Sequence, residues 1–207
     1  MQKFSGYEEA KKAAESKATE KLPKGAYVCK IIEVKTETTN DSSRLVIAFD
    51  VEEGDYKGFF KKQFENNTNE DKKWKGRVTA WIPKDDGSEE DARTKRSFAS
   101  WTSSIEKSNS GYKWDWDEKK WKGKLVGIVF GETGTIIEGK EIVYVEARFP
   151  VDVERVRNGS APEAKFKAKN GYKGNGGNNG NGGGSDSNKI DDSFLNVSGG
   201  GDTVLPF

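Results

Sequence analysis

Residues 171–184 contain eight glycines and four asparagines in fourteen positions. A stretch of that composition loses more backbone entropy on ordering than its side chains can offset, so it is expected to act as a flexible tether rather than as part of a packed core. Whatever folds must therefore precede it, in a body of roughly 160 residues, the size of one domain. Beyond the tether the chain closes on Asp202-Thr203-Val204-Leu205-Pro206-Phe207. An apolar end carried on such a segment is expected to serve another molecule, since about 37 residues of coil give it a reach of about 35 Å.

This ending resembles the tail of bacterial and phage single-stranded DNA-binding proteins, in which an acidic stretch closes on Pro-Phe. The resemblance implies that Phe207 inserts its ring in a partner's apolar pocket while its carboxylate and Asp202 meet basic residues on the rim. Leu205 would add apolar contact, and Pro206 would limit the entropy lost on docking. Asp191 and Asp192, beside Phe194 and Leu195, supply further negative charge upstream. The partners so implied are replication or recombination proteins.

Composition narrows the chemistry. The 207 residues include no histidine, which removes the usual general base, the usual zinc ligand and any Ser-His or Cys-His pair. Glu118-Lys119-Lys120, Glu138-Gly139-Lys140 and Asp115-Trp116-Asp117-Glu118 have the residue types of a carboxylate-metal nuclease, but with 33% charged residues such spacings arise as solvated loops. No Gly-rich phosphate-binding loop is present. The expectation is a non-enzyme with no cofactor and no metal. The lone Cys29 excludes an internal disulfide and fits a reducing compartment. Without an apolar run near 18 residues or a signal-peptide pattern, no membrane association is expected and the protein is placed in the cytoplasm of a bacterial host cell.

Along the chain, Ser5-Gly6-Tyr7-Glu8 is a capping box that opens an Ala/Lys/Glu surface helix running to about Lys21. Residues 26–35 and 44–52 alternate in the manner of a hairpin, with Leu45, Ile47, Phe49 and Val51 on one face. Residues 56–64 are expected as a third strand and 76–82 as a further short one. Ser88-Glu89-Glu90-Asp91 signals a helix start, and Phe98, Trp101 and Ile105 follow at helical spacing. Residues 122–131 and 141–153 return to β, the latter with Val143, Val145, Ala147, Phe149 and Val151 on one face. Strands, one helix, then two strands is the order of the five-stranded oligonucleotide-binding barrel (OB-fold), whose helix lies between major strands 3 and 4. The fold class expected is thus mainly β, with that barrel, an N-terminal surface helix and a disordered C-terminal tail. The domains are an arm at 1–23, the barrel at 24–160, a linker at 161–189 and an interaction tail at 190–207.

The run Ile105-Glu106-Lys107-Ser108-Asn109, Gly111-Tyr112 and Trp121-Lys122-Gly123-Lys124-Leu125-Val126-Gly127, with Arg157-Asn158-Gly159 further on, is similar to small phage-encoded single-strand binders. This resemblance implies an oligonucleotide-binding fold and a role in phage DNA replication or recombination. It assigns no contact residues.

Contacts follow from chemistry instead. Single strands are held by rings that stack on bases, worth about 1 to 3 kcal/mol per base, and by cations that track phosphates. Two segments interleave both types. The first holds Tyr56, Phe60, Lys61, Lys62 and Phe64, continued by Lys72, Lys73, Trp74, Lys75 and Arg77 to Trp81. The second holds Trp114, Trp116, Lys120, Trp121 and Lys122. Phe49, Phe98, Trp101, Phe130 and Phe149 are assigned to the core.

Net charge sets a limit on such binding. The chain is +1, and residues 170–207 hold two of its 35 basic residues (Lys173, Lys189) and four of its 34 acids (Asp186, Asp191, Asp192, Asp202), leaving +3 before them. Binding must rely on local clustering. The expected function is sequence-tolerant binding of single-stranded DNA, protecting unpaired strands while the tip recruits partners; a homo-oligomer is compatible with it. The alternatives are a protein adaptor that binds no nucleic acid and a nuclease using Asp115, Asp117 and Glu138.

Overall fold

The computed structural model describes residues 5–8, 21–39 and 42–172. The elements are β1 (Gly25–Thr39), β2 (Ser42–Val51), α1 (Phe59–Glu65), β3 (Arg77–Trp81), α2 (Glu89–Ser108), a 3-10 turn (Glu118–Trp121), β4 (Leu125–Ile137), β5 (Lys140–Val151), α3 (Val153–Arg157) and β6 (Lys167–Ala168). Most of the expected N-terminal helix, and the chain from residue 173 onward with its tether and tip, lie outside the described residues.

The protein is mainly β. Its sheet runs β3-β2-β1-β4-β5, and β6 adds in parallel to β4. β1 is long enough to serve two neighbours: its first half pairs with β4 from Gly25 to Lys30, and Cys29 to Thr39 pair with β2. A bulge at Ile32 bends it between the two. Among the described residues no hydrogen-bonded ladder joins β3 to β5, so the expected barrel is not closed.

The alternation read in β2 holds, with Leu45, Ile47, Phe49 and Val51 all at 2% exposure or less. They meet Cys29 and Ile31 of β1, Val126, Ile128 and Phe130 of β4, and Trp101 and Ile105 of α2. Ser88 caps α2, its hydroxyl accepting from Asp91 N at 3.0 Å, with Glu89, Glu90 and Asp91 in the first turn where the helix dipole favours acid. At the other end of α2, the Asn109 amide donates to Ile105 O (2.7 Å) and Leu125 O (2.8 Å) and accepts from Leu125 N (3.0 Å), pinning the helix end to β4.

Residues 56–64 are not a strand. Gly58 sits at φ 72°, which breaks the extended run, and the chain enters α1. Asp50 fixes that turn from β2, accepting from Phe60 N (2.9 Å) and Lys61 N (3.2 Å). Burial outweighs these hydrogen bonds and raises the Asp50 carboxyl above its ordinary value. Consecutive positions on a helix lie about 100° apart, not on opposite faces, so Phe59 and Phe60 both enter the core.

β5 departs from its single-face reading. A bulge between Ala147 and Phe149 switches the parity, burying Arg148 at 1% exposure, while toward the turn both faces are open, with Ile142 at 40%, Val143 at 45% and Tyr144 at 37%. The Arg148 guanidinium donates to Glu132 O (2.8 Å) and Thr133 Oγ1 (2.7 Å), and lies 3.4 Å from Glu146. Phe98 and Phe149, assigned to the core, are half-buried.

Residues 161–172, grouped with the linker by the sequence, run against β4. Lys167 and Ala168 pair with Thr133 and Gly134, and the rings of Phe166 and Tyr172 close over Gly134, where a Cβ would stand only 2.6 Å from Tyr172.

Candidate nucleic-acid interface

The second interleaved segment is built as a stack of rings on the end of α2. Glu106 accepts from Trp114 N at 2.8 Å, which holds its carboxyl below the ordinary value and anchors the loop. Asp117 then caps the 3-10 turn by accepting from Lys119 N at 3.1 Å, and Thr36 of β1 donates to Glu118 at 2.9 Å. Within this frame Trp121 is sealed at 0% exposure, Trp114 packs 5.0 Å from it between ring centroids, and Trp116 stands 5.9 Å from Trp114. Phe98 closes the group at 6.0 Å from Trp114.

Trp116 is the outermost ring, 81% exposed and at φ 67°. The left-handed region is strained for a bulky residue, by about 1 to 2 kcal/mol, so the backbone here works against stability to hold an indole in water. The ring helps to line a cleft of about 700 Å³. Leu45, Ile82, Pro83, Phe98 and Trp114 give the cleft its apolar lining, and Asp85, Lys95 and Glu118 line it with charge. Two cations of the segment are engaged with acids: Lys120 forms an ion pair with Asp115, raising the amine and lowering the carboxyl, and Lys113 lies 3.6 Å from Glu106. Lys122 is exposed.

The first segment divides differently. Phe60 is 7% exposed, edge-on to Phe49 at 5.5 Å, and Trp74 is 4% exposed with its indole N–H shared between Phe49 O (3.1 Å) and Gly76 O (2.9 Å). With Trp121, these two rings are core; buried as they are, they present no face on which a base could stack. Tyr56 is half-buried against Tyr27 at 5.7 Å. Phe64 is half-buried, with Lys72 4.7 Å above its ring and Trp74 5.9 Å away. Lys61, Lys62, Lys75 and Arg77 are exposed, and Lys73 is half-buried.

The structure sets Arg77 and Trp81, the end of the first interleaved segment, beside Arg44 and Lys35, which that segment did not include. On β2 the residues that alternate with the core set pair with β3, Arg44 with Trp81, Val46 with Thr79 and Ala48 with Arg77, and Lys35 of β1 pairs with Val46; Ala48 and Thr79 are buried at 1% and 8% exposure, so Arg44, Lys35, Val46, Trp81 and Arg77 are what this face offers to solvent. The Arg44 guanidinium lies 5.8 Å from the Trp81 ring centroid and 2.9 Å from Glu37. The alternation of β2 already held part of this signal, because Arg44 and Val46 flank Leu45 and so stand on the opposite face, whereas Ala48 is buried at 1% exposure. Ile82, next to Trp81, lines both the Trp116 cleft and a second one at the start of α2, so the two aromatic surfaces share a border.

Of the nuclease carboxylates, Asp115 pairs with Lys120, Asp117 caps the 3-10 turn, and Glu138 stands in the β4–β5 turn at φ 50°. Among the described residues no three or more His, Cys, Asp or Glu side chains gather as a metal site, and no helix is long and apolar enough to cross a membrane. Asp191, Asp192, Phe194, Asp202, Leu205, Pro206 and Phe207 lie outside the described residues. No protein-family model matches the chain, and no curated protein is detectably similar to it.

Proposed function

We propose that this domain binds single-stranded DNA with little regard to sequence, stacking bases on Trp116 and on the neighbouring Trp81 while Arg44, Arg77, Lys35 and the lysines of residues 113–122 meet the phosphates. The observation that carries the reading is the 81% exposure of Trp116 on a strained backbone, supported from behind by Trp114, Phe98 and Trp121. A ring so placed buries little of its own area in the fold; a base laid on it would supply the missing partner.

Architecture favours the same reading. The order β3-β2-β1-β4-β5, with a helix between β3 and β4, is the strand order of an oligonucleotide-binding barrel left unclosed, a fold that binds strands on the outer face of its second and third strands. In this proposal Arg44, Trp81 and Arg77, neighbours across β2 and β3, supply that face. Because Arg44 already holds Glu37 and Lys35 lies 3.7 Å from Glu33, phosphate must displace carboxylate as it binds, which keeps affinity modest and salt-sensitive. The tail, in this proposal, recruits phage replication or recombination proteins through Leu205, Pro206 and Phe207 while the domain protects the strand.

Titration with oligo(dT), followed by tryptophan fluorescence, tests the reading. Quenching that is lost in Trp116→Ala and Trp81→Ala, with little response to duplex, is the expected result. Equal binding to duplex, or no binding at low salt, would overturn it. The apolar lining of the Trp116 cleft favours one second reading, an adaptor that takes an apolar peptide; this predicts silence with oligo(dT).

A further inference from the structure

The β4–β5 hairpin leaves its outer edge without a partner strand among the described residues, since β5 ends the sheet order. Along that edge Ile142, Val143 and Tyr144 are 40%, 45% and 37% exposed. Edge strands are ordinarily blunted by proline, bulges or inward charge. Here those devices stand at the base of β5, where the parity switches next to Arg148 and where Pro150 has no N–H to offer. The stretch from Lys140 to Ala147 has no proline and no bulge, its charges stand at Lys140, Glu141 and Glu146, and its centre, Ile142-Val143-Tyr144-Val145, is β-branched and aromatic.

The backbone of this edge can be read from the turn. Glu138 (φ 50°) and Gly139 (φ 75°) both adopt positive φ, the signature of a two-residue type I′ turn closed by the Ile137–Lys140 pair. The closing pair of such a hairpin exchanges both its hydrogen bonds, and bonded and non-bonded pairs alternate from there. Lys140, Ile142 and Tyr144 therefore turn their N–H and C=O toward β4, while Glu141, Val143 and Val145 turn theirs outward.

We infer that two copies of this chain pair edge to edge through β5, antiparallel, with Val143 opposite Val143 across the two-fold axis. In this register Glu141 of one copy lies opposite Val145 of the other, so every outward N–H and C=O of Glu141, Val143 and Val145 finds a partner. Ile142 falls opposite Tyr144 on one face, an apolar pair at each end of the axis. Lys140 falls opposite Glu146, whose side chain is 26% exposed and whose carboxylate already accepts from Thr133 Oγ1 (2.8 Å) and lies 3.4 Å from Arg148 and 3.1 Å from Lys169, so Lys140 would join an existing cluster.

Pairing chemistry favours this register over its neighbours. Only even shifts keep outward groups facing one another. A shift of two toward the turn leaves Glu146 beside Glu138 of the turn and Lys140 opposite Tyr144, and a shift of two away from it sets Ile142 opposite the Glu146 carboxylate; both lose the Lys140–Glu146 pair.

Sedimentation equilibrium of the full chain across a range of concentrations is the first test, with a monomer–dimer equilibrium expected. Val143→Pro removes an outward N–H that no intrachain bond uses, and it should abolish the dimer while thermal melting stays within a few degrees of wild type. Lys140→Glu should weaken dimerisation by roughly tenfold or more, because each of two opposed pairs becomes repulsive. Register is read by cysteine substitution under diamide, since Cys29 is buried. Val143→Cys places two thiols about 5.5 Å apart at Cα and should cross-link; Glu141→Cys places them about 14 Å apart and should not. A monomer at all concentrations, a dimer indifferent to Val143→Pro, or cross-linking at residue 141 as readily as at 143 would each overturn the inference.

Discussion

The indole of Trp116 packs 5.9 Å from that of Trp114, and through it onto Trp121, 5.0 Å further in. The sequence Trp114-Asp115-Trp116 and Trp121 thus spans the full range from a ring in water to a ring with no exposure. Rings at the two ends of this stack should respond oppositely to substitution.

Trp116→Ala should leave the fold intact and weaken oligo(dT) binding by about 1 to 3 kcal/mol, roughly 5- to 150-fold, as measured by fluorescence or anisotropy titration. Trp116→Gly should bind as weakly yet melt no lower than wild type, because glycine accepts φ 67° without strain.

Trp121→Ala, by contrast, should cost about 3 to 5 kcal/mol of stability by denaturant melt, as buried large-to-small changes do. Any loss of DNA binding should track unfolding, not the contact.

Gly76→Ala should destabilise by about 1 to 3 kcal/mol or prevent folding. A Cβ there would stand 2.3 Å from Phe49 O and 2.7 Å from the Phe60 ring, and both are held, the carbonyl by the Trp74 indole and the ring by the core. A mutant that melts like wild type would contradict the packing described here.

Salt dependence measures the phosphate contacts. If about four phosphates are neutralised, log affinity should fall against log salt with a slope near −3, and Arg44→Ala or Arg77→Ala should each flatten it by about 0.7. Arg93→Ala, on α2, should not.

Acid stability should report the pair that ties the β2–α1 turn to α3. Arg157 donates to Glu53 at 2.6 Å, and that hydrogen bond is the main cause lowering the Glu53 carboxyl below its ordinary 4.5. A folded value below the unfolded one gives stability that is present above the unfolded value and lost as pH falls through the folded one. Glu53→Gln should therefore melt slightly below wild type at neutral pH and equal it once pH is well under 4.5.

The local rules of the chain were legible from residue order. The β1–β2 hairpin, the Ser88 cap and the apolar spacing of α2, and the inward set of β2 follow from periods of 2 and 3.6 and from capping chemistry, which need no knowledge of distant neighbours. What failed did so where a distant group intervened. Residues 56–64 alternate well enough for a strand, but the Asp50 carboxylate and the left-handed Gly58 turn them into α1. Arg148 is buried because a bulge, Thr133 and Glu146 give its guanidinium partners from other strands. Residue type marked Trp74, Trp114, Trp116 and Trp121 alike, and only packing separated them: burial is decided by which elements close over a ring, and that is a property of the assembled sheet and helix, not of the lysines beside it in the chain.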